Sequence, residues 1–279
     1  MDLAPTALAD LVLRLRTAGC VFAEDEAYLL TTEATTPAEL AIMVERRVAG
    51  VPLEQVLGWA RFSGLRIQLE AGVFVPRRRT EFLVDQAAAL AGPEAVVVDL
   101  CCGSGAVAAA LSARCPTVEV HAVDVDPVAV RCARRNLVGR RAHVHLGDLF
   151  EALPASLQSR VDVIVANAPY VPTAAIAMMP PEARLHEPRT ALDGGADGLH
   201  VQRRIAGQAA SWLAAGGHLL IETSEGQGAQ TAAMIVRGGL ATRTARSDEL
   251  DCTVVVGTNS ERRAGSVRPV TNPRNNHRH

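Results

Sequence analysis

The chain has 279 residues, of which 48% are hydrophobic and 21% charged, with a formal net charge of −2. That balance is ordinary for a soluble globular protein and leaves room for a sizeable core, in one large domain or a large and a small one. It argues against a generic nucleic-acid binder, and no run of about 18 apolar residues is present to span a membrane.

Every basic residue is an arginine, so a P-loop, a Schiff-base enzyme and a lysine general base are all excluded. The opening stretch, MDLAPTALAD, lacks the basic start of a signal peptide and predicts a cytoplasmic protein. Six cysteines are scattered at 20, 101, 102, 115, 132 and 252 without CxxC spacing, and read as reduced core thiols.

Residues 1–58 predict a helical N-terminal domain. Leu8, Leu11, Val12 and Leu15 share a face. Thr36-Pro37-Ala38-Glu39 supplies a cap, an N1 proline and a glutamate three residues after the cap, so a helix starts there and ends near Gly50. The domain reads as a stabilising cap or as a substrate-docking module. Residues 59–72, WARFSGLRIQLEAG, predict a hairpin linker with turn glycines.

From residue 73 to 260 short apolar strands alternate with helices: 95–100, 118–124, 142–146, 161–167 and 217–222, with helices over 106–114 and 127–138 among those between them. Such alternation predicts an α/β fold, a Rossmann-like parallel sheet covered on both faces. LATRTARS and CTVVVG follow with no long helix between them and predict a final antiparallel pair. His143 and His145 share a strand face, but no acidic or thiol partner is placed in sequence to complete a metal site, so no metal is expected. Residues 261–279 predict a disordered basic tail with solvated His277 and His279.

The first strand of that alternation runs into a turn and a small-residue helix, VVVDLCCGSGAVAAAL. There Gly103 and Gly105 would let the backbone approach a ligand. The second strand ends in Asp124, placed to accept hydrogen bonds from both ribose hydroxyls of an adenosine. After Gly105 comes AVAAA rather than the third glycine of a dinucleotide fingerprint. Asp99, just before the turn, would repel a pyrophosphate and suit a cation. S-adenosylmethionine, with its sulfonium and ammonium, is therefore the expected cofactor, with Asp148 and Leu149 approaching the adenine.

The fourth strand ends in Asn167-Ala168-Pro169-Tyr170 at the carboxyl edge, where open α/β sheets bind ligands. A planar NH2 group is a poor nucleophile because its lone pair is delocalised. The Asn167 side-chain oxygen and the Ala168 carbonyl could grip its two hydrogens, Pro169 would stiffen the turn, and Tyr170 would offer a π face.

The motifs GVPLEQVLGWARFSGL, GVFVPRRRTEFLVD, DLCCGSGA, AVDVDPVAV, GDLF, NAPY, EPRTALDGGADGL and IETSEGQ together resemble the HemK/PrmC family of protein-(glutamine N5) methyltransferases, from about residue 46 to 257. The resemblance implies transfer of a methyl group from S-adenosylmethionine to a glutamine presented on a loop of a protein, release-factor or ribosomal, with nucleic acid present only through that context. It implies cofactor contacts at Cys101, Cys102, Gly103, Ser104, Gly105, Asp124, Leu149 and Asn167. It also puts Phe74 and Pro76 near the methyl group, has residues 167 to 170 hold the glutamine, and makes the helical N-terminus a substrate-binding domain. Three positions depart from the family pattern: NAPY for NPPY, Cys101 for a glycine, and PRRRTE for PRPxTE. In the first of these the chain resembles most a related subgroup with N-x-P-Y. The rival readings are a methyltransferase for the exocyclic amine of a nucleic-acid base, and a cofactor-binding module without activity.

Overall fold

The computed structural model describes residues 4–260; the expected basic tail, with His277 and His279, lies outside them. Four helices come first: α1 (Pro5–Thr17), α2 (Ala23–Glu33), α3 (Pro37–Val48) and α4 (Leu53–Leu57). Leu11, Leu15, Leu30, Leu40, Met43 and Val44 form their shared core. The predicted start of α3 is present in full. The Thr36 hydroxyl accepts from the Glu39 N–H at 3.1 Å, and the Glu39 carboxylate reaches back to the Thr35 N–H at 2.7 Å. Capping of this kind satisfies N–H groups that the first helical turn leaves unpaired.

The hairpin comprises β1 (Trp59–Phe62) and β2 (Leu65–Gln68). Its turn residues Ser63 and Gly64 both have positive φ, 48° and 76°, the twist that two-residue hairpin loops favour. Phe62 and Ile67 are buried in the same cluster as Leu83, Val97 and Val120, so the hairpin is sewn into the main core.

The remaining elements are α5 (Glu81–Leu90), β3 (Val96–Leu100), α6 (Ala106–Arg114), β4 (Glu119–Asp124), α7 (Pro127–Asn136), β5 (Ala142–Leu146), β6 (Val161–Ala166), α8 (Pro181–His186), α9 (Arg189–Leu192), α10 (His200–Trp212), β7 (Leu213–Thr223), α11 (Gly228–Arg237), β8 (Ala241–Ser247) and β9 (Cys252–Thr258). The large sheet has seven strands in the order β5-β4-β3-β6-β7-β9-β8. Strands β3 to β7 are mutually parallel, and β9 joins β7 and β8 antiparallel, as the closing segment predicted. Its central strands are continuous apolar runs because both faces are covered. Val97, Val120 and Val163 face one buried cluster, and Val98, Leu100 and Ile164 face the other.

β7 begins earlier than the predicted 217, at Leu213, because Leu213 pairs with Val161 before a register shift between Val161 and Val163. Beyond that shift Gly217 is required, since a Cβ there would lie 2.9 Å from the Val161 carbonyl oxygen. Chain order reverses at β3, whose two neighbours are β4 and β6, and the crevice beyond the carboxyl ends of these strands is where such sheets bind ligands.

The helical N-terminus is fastened near that crevice. Arg47 bridges Glu26 at 2.6 Å and Glu182 of α8 at 3.2 Å. The Gln55 amide donates to the carbonyls of Val73 and His186, each at 3.2 Å.

Candidate active site

A cleft of about 740 Å³ opens at the carboxyl ends of β3, β4, β5 and β6. Nearly every predicted site residue lines it: Phe74, Pro76, Asp99, Cys101 to Ser104, Asp124, Asp148, Leu149 and Asn167 to Tyr170. Gly105 is the exception. Its φ is +75°, and an added Cβ would lie 3.0 Å from the Ala133 Cβ, so the glycine is needed where α6 meets α7 and does not reach the cleft. Gly103 does: its φ is +53°, and an added Cβ would meet no protein atom within 4 Å, leaving the backbone open to a ligand.

Asp124 ends β4 with both carboxylate oxygens held by backbone. Oδ2 accepts from the Gly103 N–H at 2.8 Å, and Oδ1 accepts from the Asp126 N–H at 2.9 Å. Each oxygen retains a lone pair for a ligand hydroxyl. Burial raises the Asp124 pKa, and these two N–H groups oppose the rise.

Asp99 is only 2% exposed and accepts one backbone bond, from the Ala108 N–H at 3.1 Å. Burial pushes its carboxyl up to about 8. At neutral pH it is a neutral acid, which a nearby cation would ionise. Asp148, expected at the adenine edge, is on the cleft wall but pairs with Arg204 of α10 at 2.8 Å. Asp99, Asp124 and Asp126 thus line one region with no arginine bonded to them among the described residues, which suits a cationic adenosine ligand.

Cys101 occupies its turn with φ +58°, the left-handed conformation that a glycine would hold without strain. Leu149 shares the feature, at φ 48°. Two strained residues therefore shape the cleft. Burial and the neighbouring carboxylates raise the pKa of both Cys101 and Cys102, so the pair is protonated and unreactive.

At the end of β6, the Asn167 Nδ2 donates to the Thr80 hydroxyl at 3.1 Å. That bond turns the side-chain oxygen the other way. Among the described residues, neither Asn167 Oδ1 nor the Ala168 carbonyl accepts a hydrogen bond. Arg79 donates to the Tyr170 hydroxyl and lies 5.9 Å from its ring centroid. Burial, with Glu222 adding to it, pushes the Tyr170 phenol up to about 12, so it remains neutral.

Glu222, from the IETSEGQ stretch, is 1% exposed. No hydrogen bond of ordinary geometry reaches either of its oxygens among the described residues. The Thr80 hydroxyl and Arg79, at 3.4 Å, are its stabilising neighbours, and burial raises its pKa.

The other motifs act as braces. Gln227 donates to the Tyr170 carbonyl at 3.1 Å, and Gly198 passes so close that a Cβ would collide with that oxygen. Arg77 is paired at 2.6 Å with the buried Glu187 of EPRT, which also accepts from the Val75 N–H. Thr80, Arg79, Glu222, Glu187, Gln227 and Arg204 had no role in the reading of the sequence. Five of them, all but Arg204, sit inside motifs quoted there, and only the fold shows what each one touches.

Residues 64–197 match the family model described as "Methyltransferase small domain". The chain is 39% identical over 217 residues to "Release factor glutamine methyltransferase" of Geobacter sulfurreducens, covering 76% of this chain and 75% of that protein. It is 38% identical over 188 residues to a "4-amino-L-phenylalanine/4-methylamino-L-phenylalanine methyltransferase" of Streptomyces pristinaespiralis, covering 64% of this chain and 63% of that one. Among solved structures, a methyltransferase from Pyrococcus furiosus superposes with a TM-score of 0.55 at 16% identity, over 71% of this chain and 90% of that one, a likeness of fold. Fold and match together make the protein an S-adenosylmethionine-dependent methyltransferase with a Rossmann-like sheet. The chain belongs to the HemK/PrmC methyltransferase family.

Proposed function

We propose that the protein methylates the side-chain amide nitrogen of a glutamine carried on a loop of a protein of the translation machinery, a release factor first. The observation that carries this reading is the pair of uncommitted acceptors, Asn167 Oδ1 and the Ala168 carbonyl, beside the neutral ring of Tyr170. When bound, S-adenosylmethionine supplies a methyl group made electrophilic by its sulfonium.

Asp124 would hold the ribose, Gly103 would admit the ligand to the backbone, and Asp99 would be ionised by the ligand's positive charge. Cys101, Cys102, Ser104, Asp148 and Leu149 complete that wall, and Phe74 and Pro76 close the side toward the acceptor. Asn167 and Ala168 take the two amide hydrogens, which turns the nitrogen and returns density to it; Tyr170 packs against the flat amide. Neither oxygen is a base, so the proton lost on methylation passes to solvent.

The NAPY sequence keeps the grip, because the second acceptor is a main-chain carbonyl and tolerates alanine at 168. The helical N-terminal domain, residues 1–58, is the docking module. Phe22 and Tyr28 of its α2 region are each 68% exposed, and the Arg47–Glu182 pair fixes it beside the cleft.

The deciding experiment is transfer of labelled methyl from S-adenosylmethionine into a cell extract, followed by protease or nuclease digestion. Label lost only to protease, and placed on glutamine by mass spectrometry, is the expected result. Label lost to nuclease would move the acceptor to a base. Label confined to free amines would align the protein with the aminophenylalanine enzyme instead. No label, with cofactor binding intact, would leave a module without activity.

A further inference from the structure

The two histidines of β5 have partners that the sequence order concealed. Residues of β4 and β5 pair in parallel with His121 directly opposite His143. Strand alternation then puts Glu119, His121, His143 and His145 on one face. The absence of an acidic partner, expected from the sequence, is thereby corrected: Glu119 stands between two imidazoles. Its Oε1 lies 3.2 Å from His121 Nε2 and 3.5 Å from His143 Nε2.

We propose that Glu119, His121 and His143 form a binding site for one divalent transition-metal ion, zinc in the first instance, with His145 orienting His121. One ligand atom from each of the three lies within 4.8 Å of the other two. Ligands of a tetrahedral zinc, bonded at about 2.0–2.1 Å, stand about 3.3–3.4 Å apart, close to the two distances from Glu119. The ligand set, two imidazoles and a carboxylate, suits zinc and its neighbours better than calcium or magnesium, which favour oxygen.

The surroundings also resemble those of a metal site. His121 is 4% exposed, and its other ring nitrogen, Nδ1, is 3.0 Å from His145 Nε2. A hydrogen bond from the nitrogen away from the metal is the usual device for fixing a ligating imidazole. His143 is 57% exposed and leaves a fourth position open to solvent. Arg141 approaches the other Glu119 oxygen, at 3.7 Å, and leaves Oε1 available.

An ion here would clamp the edge strand β5 to β4. These are the strands whose carboxyl ends carry Asp124 and, just beyond, Asp148.

The test is calorimetric titration of the full-length, chelator-stripped protein with zinc, alongside His143→Ala and Glu119→Gln, neither of which touches the cleft. The expected result is one equivalent bound at micromolar zinc or tighter and a raised melting midpoint. In each variant affinity should fall by about 10- to 100-fold or more, at least the loss that removal of a mere outer partner causes. Cobalt in place of zinc should give visible ligand-field bands without the intense near-ultraviolet absorption of a thiolate complex. Absence of saturable binding would overturn the site and leave a self-satisfied histidine cluster. Binding unchanged in both variants, or a thiolate band, would place the ion elsewhere.

Discussion

Asn167 and Thr80, 87 positions apart in the chain, meet through a 3.1 Å hydrogen bond from the Asn167 amide to the Thr80 hydroxyl. One end of β6 is thereby locked to the start of α5. The bond determines which way the amide points, and so whether its oxygen is available to an acceptor nitrogen.

Replacing Asn167 by alanine should preserve the fold and lower turnover by roughly a hundredfold, about 3 kcal/mol, as for other preorganised polar contacts. Thr80→Val should act through Asn167 and lower kcat more than acceptor KM, with Thr80→Ser restoring most of the loss. Steady-state kinetics on folded variants checks both. Wild-type kcat in Thr80→Val would remove it as a positioning residue.

Asp124→Ala removes a carboxylate held by two backbone N–H groups. Lost charge-assisted hydrogen bonds cost about 1.5–3 kcal/mol, so the affinity for S-adenosylmethionine should fall by roughly ten- to a hundredfold. Equilibrium binding of the cofactor measures this directly. Unchanged affinity would mean that the ribose lies elsewhere.

Asp99 should impose a pH dependence on stability. Its folded pKa, about 8, lies above the 3.8 of an ordinary aspartate. The folded state therefore keeps a proton that the unfolded chain has lost. The stabilisation is complete below the unfolded value and disappears as pH rises through the folded one. Between the two, the stability of the unliganded protein should fall by up to about 1.4 kcal/mol per pH unit from this group. Urea midpoints from pH 5 to 8 should slope downward in the wild type and less steeply in Asp99→Asn, since Asp124 and Glu222 contribute in the same direction. Parallel slopes would assign the titration to another group.

Cys101→Gly should leave the protein as stable or up to about 1.5 kcal/mol more so. Relief of a left-handed φ is worth about 1–2 kcal/mol and outweighs the roughly 0.5–1 kcal/mol entropic cost of glycine. Cys101→Val, β-branched at the same φ, should destabilise. Denaturant melts of both variants decide the matter, and a clear loss in Cys101→Gly would show that the thiol's packing dominates.

Much of this architecture was legible locally. The alternation of apolar strands with helices, the turn after β3, the acid at the end of β4 and NAPY at the end of β6 are short-range patterns. A parallel sheet gathers strand ends at one edge, so these patterns met at one cleft without any need to know the strand order. The cap of α3 and the hairpin turn at Ser63–Gly64 were legible for the same reason, since their partners lie within a few residues.

What only the tertiary structure decided depends on contacts between distant residues and on exclusion of water. Gly105 read as a cofactor glycine until α7 was placed against it. Asp99 is a neutral acid because the folded core removes its solvent, and Arg204 claims Asp148 because α10 returns beside that wall. The same holds for Glu119 and His143, brought within 3.5 Å by the pairing of β4 with β5. The sequence by itself determined the sheet, the cofactor class and the residues at its edge, because local hydrophobic period and turn chemistry encode them. Charge states, orientations and the edge-strand cluster came from the fold, because desolvation and side-chain contact are properties of the packed chain.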